Sequence, residues 1–432
     1  MSASETDTET PTEPISEPAP ELADAPAAGM LRAMLLVFMP FACGYFFSYF
    51  YRSVNAVVAP YLRQDIGLGP ADLGLMSAAY FLAFAAFQIP LGLLLDRYGP
   101  RRVQGTLYCV AALGALLFAK GESVSTLIIA RALIGFGVSG GLMAGLKGIV
   151  LWFPLKRVPL VNSWYFACGG MGVLAATAPV EIAMQTMDWR DMFMALAGVT
   201  LVVAALVLLV VPERPNSTAT GRLSTQIREI GQIYRDPYFW RLVPLMAVCS
   251  GSYMAIQGLW AGPWLSEVDG LNQREVASHL TVMAIGMIIG VIGSGLFAAF
   301  LQRLGFDLAS VCGFAGLFSI LGMFFLITDI LPSRYLLWGF VGAVVILTAL
   351  VFAALSQHFP LEQSARANTA ANVLVFGTAF AFQWGMGWII EQWPAGAGGA
   401  YPKIAYLWAF MAVTLAQVLS FVWLVWPRRN RR

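Results

Sequence analysis

The stretch PERPNSTATGRLSTQIREIGQIYRDPYF, residues 212–239, is the longest polar run inside an otherwise apolar chain. A helix needs about 20 apolar residues to cross a bilayer. Windows of that kind lie before it near 33–58, 71–95, 103–119, 124–150, 159–181 and 191–211. Six more follow near 240–263, 276–300, 308–328, 335–356, 367–390 and 404–426. The polar stretch therefore splits the spans six and six.

Composition agrees with that reading. Of 432 residues, 59% are hydrophobic and 12% charged, whereas soluble domains carry about 25% charge. The mean hydropathy is +0.71. We expect an all-α membrane protein of twelve transmembrane helices in two six-helix pseudo-repeat bundles. The divisions expected are an acidic disordered tail (1–30), a first bundle (31–212), a short unstructured connector (213–238), a second bundle (239–427) and a basic tail (428–432). The tail is rich in Pro, Ser, Thr and acids and contains no base, so it cannot build a core and is no signal peptide.

Lys and Arg set the orientation. Arg32, Arg97, Arg101, Arg102, Lys156, Arg157, the connector arginines, Arg303, Arg366 and the C-terminal arginines fall on one side. The other side holds Arg63, Lys120, Arg190, Arg274, Arg334 and Lys403. This bias puts both termini in the cytoplasm of a multi-pass inner-membrane protein. The five cysteines, Cys43, Cys109, Cys168, Cys249 and Cys312, sit in apolar runs without CxxC spacing and read as packing residues. His279 and His358 are too far apart to suggest a metal site. No metal, cofactor or nucleic acid is expected, and no P-loop or nucleophile–base arrangement points to an enzyme.

The loop after the second span reads GLLLDRYGPRRV. Its Gly92, Asp96, Arg97, Gly99, Arg101 and Arg102 match a signature of the major facilitator superfamily, which the chain resembles over nearly its whole length. The resemblance implies a secondary transporter whose two halves rock about a midplane site. It also implies that this loop is a cytoplasmic latch in which Asp96 meets a helix end or an arginine of a neighbouring helix. The equivalent loop of the second half, AAFLQRLGFD (298–307), keeps Arg303 and Gly305 but has Gln302 in place of the acid. In RALIGFGVSGG, Arg131 with Gly135 and Gly137 resembles the family's second signature, which implies a role for Arg131 in organising the cavity or coupling protons. The fifth span offers Ala178-Pro179 where a drug/proton antiporter carries Gly-Pro. The stretches 255–271 and 365–390 resemble bacterial permeases classed near sugar-phosphate and organic-anion carriers.

Ionisable residues inside spans are functional candidates by default. On the first span, Tyr45, Ser48, Tyr49, Arg52 and Asn55 recur at steps of three or four and form one polar stripe. Arg52 either faces a cavity or snorkels outward. Lys147 has the same two readings; it lies sixteen residues from Arg131, which puts the two about 160° apart on an ideal helix. The second span contributes Gln88, the seventh Tyr253, Gln257 and Trp260, and the eleventh Asn372 and Gln383, either as pathway wall or as interhelical glue. The acids nearest the spans, Glu181 and Glu391, are expected to reach water. Three cations and almost no acid in the spans favour an anionic ligand. The leading expectation is a monomeric secondary carrier of a small organic anion, with a proton or counter-anion as candidate co-transported species. A drug or metabolite exporter and a transporter-like ligand sensor are the alternatives.

Overall fold

The computed structural model describes residues 27–426 except 214–222, 329, 331–332 and 397–398. The expectations for the acidic tail, the basic tail and the first part of the connector lie outside the described residues. Eleven helices are long and apolar enough to cross a membrane, and there is no strand among the described residues. One of them, Pro70–Ala119, has 50 residues. At 1.5 Å per residue it would run about 75 Å, more than twice the hydrocarbon thickness of a bilayer. It turns at Gly99, whose φ of 79° breaks the helical path, and Pro100 opens the second arm. Gly305, at the matching place of the second half, has φ 90°. Only glycine takes this conformation without strain.

The two arms of Pro70–Ala119 are α2 and α3. The others are α1 (Gly29–Ser53, continued by Asn55–Ile66), α4 (Val124–Trp152), α5 (Leu155–Met184) and α6 (Trp189–Leu209). The second half contains α7 (Pro237–Val268), α8 (Gln273–Arg303), α9 (Leu308–Thr328), α10 (Arg334–His358), α11 (Leu361–Ile390) and α12 (Lys403–Val425). Side chains set several starts. Asp236 accepts from the amides of Tyr238 and Phe239 at the head of α7, and Asn272 with Glu275 forms a capping box on α8.

The connector is not unstructured, contrary to the expectation. Leu223–Ile233 is a helix, with Ile230 and Ile233 buried. Glu229 pairs with Arg366 at 2.8 Å, and Tyr234 donates to the Ala370 carbonyl at 3.1 Å. Ile230 and Tyr234 lie one turn apart, so a polar run can still carry one apolar face onto α11.

Candidate functional site

The polar stripe of α1 lies where the two halves meet. Val54 keeps helical dihedrals, φ −61° and ψ −26°, and its amide bonds the Phe50 carbonyl at 3.0 Å. Arg131 of α4 donates to the Tyr51 carbonyl at 2.9 Å. Further on, Pro60 has no amide to give the Ala56 carbonyl. Gly262 of α7 backs onto that same oxygen so closely that a Cβ there would overlap it.

Arg52 is held among rings. Its guanidinium carbon is 4.4 Å from the Tyr49 ring centre, 5.3 Å from Phe376 and 5.8 Å from Phe84. Phe84 of the first half and Phe376 of the second stack at 4.0 Å. No carboxylate pairs with Arg52 among the described residues, and its Nε is buried without a partner. The Tyr80 phenol, which donates to the Ser48 carbonyl at 3.0 Å, also meets the guanidinium. Arg52 thus lies against rings of both halves.

Other candidates gather on both sides of this point. The Tyr45 hydroxyl donates to that of Tyr49 at 3.3 Å. Gln88 donates to the Ser139 carbonyl at 3.2 Å and receives Asn372 of α11 at 3.4 Å, a bond between halves. Ser53 donates to Gln257 of α7 at 3.2 Å, also between halves. Asn55 donates to Ser77 at 2.8 Å, joining α1 to α2. Trp260 donates to the Gln383 backbone carbonyl at 3.0 Å, while the Gln383 side-chain oxygen and the Tyr253 hydroxyl are buried without partners. The amides thus act largely as interhelical bonds.

Two cations do not join Arg52. Arg131 is 1% exposed and turned into the first half, over Phe118 of α3 and Phe193 of α6. Lys147 pairs with Asp96 at 2.7 Å and donates to the Leu95 carbonyl at 2.8 Å. The sequence separates Lys147 from the latch, but the ends of α2 and α4 lie side by side and bring them together. Asp96 meets Lys147, a partner the expectation did not name. Arg101 donates to the Leu208 carbonyl at the end of α6 at 2.8 Å, and Arg102 pairs with Glu213 at 2.7 Å. Arg97 lies over the Tyr98 ring.

The opposite end, away from the termini, is tied between the halves. Arg63, at the end of α1, pairs with Glu267 of α7 and donates to the Gly399 carbonyl at 2.7 Å. Glu267 also accepts from the Tyr401 amide at 2.7 Å. Thr177 of α5 meets Thr281 of α8 at 2.9 Å. Neither Arg63 nor Glu267 is a sequence candidate, because residues at span ends look like ordinary interfacial charge. Glu181 corrects another expectation. It is 6% exposed and takes Gln185 at 3.1 Å, because the short turn of helix after Thr177 folds it against α8. Glu391 is exposed as expected. Phe84 and Phe376 also escape sequence reading, since a ring in an apolar run is indistinguishable from a lipid-facing one.

The chain matches the model of the Major Facilitator Superfamily over residues 41–383. A probable sulfoacetate transporter of Cupriavidus necator is 24% identical over 60% of this chain and 63% of its own length. A probable L-galactonate transporter of Escherichia coli K12 is 24% identical over 60% of this chain and 57% of its own length. The chain thus spans less than two thirds of these relatives. A D-galactonate transporter of Escherichia coli O6:H1 is 24% identical over 87% of this chain and 91% of its own length. Among solved structures, the nucleoside transporter NupG superposes with a TM-score of 0.71 at 12% identity, covering 89% of this chain and 98% of that one. A bacterial homologue of the human lysosomal transporter Spinster also gives 0.71, at 16% identity, over 90% of this chain and 95% of its own. Split at Gly99, the eleven long helices are twelve, and with the family match they lead to one statement: the chain is a multi-pass membrane protein of the major facilitator superfamily.

Proposed function

We propose that this carrier moves a small organic anion across the inner membrane by alternating access, with both termini in the cytoplasm. The observation that carries the reading is Arg52, a cation between the two halves with no acid beside it among the described residues and a buried Nε without a partner. An anion would neutralise it and supply the missing acceptor, and a guanidinium suits a planar carboxylate. The relatives named for sulfoacetate and galactonate add support, since each of those compounds is an organic acid. In this reading Arg131 holds the α1 backbone beside Arg52, while Lys147 and Asp96 with Gly92, Arg97, Gly99, Arg101 and Arg102 form the cytoplasmic latch. A proton or counter-anion as coupled species and a monomeric carrier complete the proposal.

A ligand screen on purified protein tests it. Organic acids, neutral sugars and cationic drugs are compared by thermal shift, since a ligand that binds only the folded chain raises its stability by about 2.7 kcal/mol at a hundredfold excess over its Kd. An anion that stabilises the native chain and not Arg52→Ala is the expected result. Equal stabilisation of both, or stabilisation only by cations, sinks the proposal.

A further inference from the structure

We infer that Glu181 is a proton site: the end opposite the termini takes up one proton there, from the water on that side, when it closes. The inference rests on the two halves parting at this end, as alternating access requires, and is independent of the charge of the solute.

The chain path places Glu181 between the halves. α5 is broken at Thr177, whose dihedrals of −107° and −112° are not helical, and resumes as Ala178–Met184. The Glu181 amide bonds the Thr177 carbonyl at 3.1 Å, so the two residues lie one turn apart on one face. That face meets the second half, since the Thr177 hydroxyl is 2.9 Å from that of Thr281 and the short helix packs along α8. Glu181 is 6% exposed there, whereas its neighbour Ile182 is 63% exposed.

A carboxylate in this place has no counter-charge. Both oxygens accept from the single amide group of Gln185 at 3.1 Å, and no cation pairs with Glu181 among the described residues. The ionisable groups around it are engaged elsewhere. Arg63 of α1 pairs with Glu267, and Arg190 of α6 pairs with Asp65. On α8, Glu275 belongs to the capping box, Arg274 is exposed, and His279 turns its Nδ1 to the Glu275 carbonyl. Tyr61 of α1 is in electrostatic reach of Glu181 but carries no positive charge.

Water reaches Glu181 when α5 and α8 part. When they close, the ionised acid becomes an uncompensated buried charge, which is costly, and the neutral acid avoids that cost. The Gln185 amide can still donate to the carbonyl oxygen of the neutral acid. A hard metal cation such as sodium needs several oxygens together, but the Thr177 and Thr281 hydroxyls already serve the Leu174 and Ala277 carbonyls. Protonation of Glu267 has the opposite sign, because it releases Arg63 and favours parting.

The test measures the distance between spin labels at Met187→Cys and Leu336→Cys, exposed positions at this end of opposite halves, in a full chain without its native cysteines. Between about pH 8 and about pH 5 the ratio of short to long distances should rise on acidification, by at most about tenfold per pH unit for one proton. Glu181→Gln should stay short at both ends of that range. Gln185→Lys keeps the acid and sets a cation beside it from an exposed position; it should also stay short, and it decides alone if Glu181→Gln does not fold. A native-sized response in the deciding variant overturns the inference, and so does closure by sodium rather than by acid. A native distance that responds to an added organic anion but not to pH overturns it while alternating access stands. A distance that responds to neither overturns both.

Discussion

Replacing Glu267 with Gln should loosen the end of the molecule opposite the termini. Glu267 pairs with Arg63 across the two halves, and the side chains are 11% and 22% exposed. Breaking a fully buried pair costs about 3–5 kcal/mol, whereas an exposed pair is worth about 0–1 kcal/mol. This pair lies between those limits, so about 2 kcal/mol is a reasonable figure. Gln keeps the shape and can still accept from the Tyr401 amide, which Glu267 now does at 2.7 Å. The loss is therefore mainly the charge. It falls on the state in which this end is closed, because both groups are hydrated when the halves part. At about 1.4 kcal/mol per factor of ten, the balance shifts by roughly 30-fold toward the parted state.

Thr281, which meets Thr177 of the other half at 2.9 Å, reports on that balance. With the five native cysteines replaced, a cysteine at Thr281 should react with a membrane-impermeant thiol reagent faster in Glu267→Gln. When opening is fast relative to labelling, the rate follows the open population. The exchanged pair Arg63→Glu with Glu267→Arg should slow it again. An unchanged rate in Glu267→Gln, or no recovery in the exchanged pair, would refute the gate argument.

Two further outcomes follow from the same geometry. Asp96→Asn should change the unfolding temperature little, since Lys147 and Asp96 are 26% and 48% exposed and such pairs contribute at most about 1 kcal/mol; uptake should nonetheless slow, and unchanged turnover in proteoliposomes would remove the latch role. Gly262→Ala puts a methyl group against the Ala56 carbonyl, so α1 and α7 can no longer close as they do here. Its signature is raised labelling at Thr281 in the cysteine assay, and labelling at the native rate would show that the contact yields at no cost.

The site was only partly readable in the chain. The stripe carrying Tyr49 and Arg52 follows from helical spacing, because residues three and four apart share a face whatever surrounds them. The rings that complete it come from α2 and α11, and an apolar residue bears no local mark of facing protein rather than lipid. The amides illustrate the same limit. Asn55, Gln88, Gln257 and Asn372 stand out as polar residues in spans, but whether they bind a solute or each other depends on the neighbour opposite. Here they are bonded to Ser77, Ser139, Ser53 and Gln88.

The sequence by itself determined the class of fold. A bilayer admits only segments that satisfy their own backbone, so apolar runs of sufficient length must be helices, and the polar stretch 212–239 must divide them. It also determined the turn at Gly99, since the motif places a glycine before Pro100 where two spans must reverse. Only the tertiary structure decided how the buried charges are spent. Arg52, Arg131 and Lys147 look alike along the chain, yet one faces rings of both halves, one holds the α1 backbone and one pairs with Asp96. Their fates differ because electrostatic and hydrogen-bond energies depend on the few ångströms around each group. Those few ångströms are set by which helices pack together, and the spacing of residues along one helix does not contain that information.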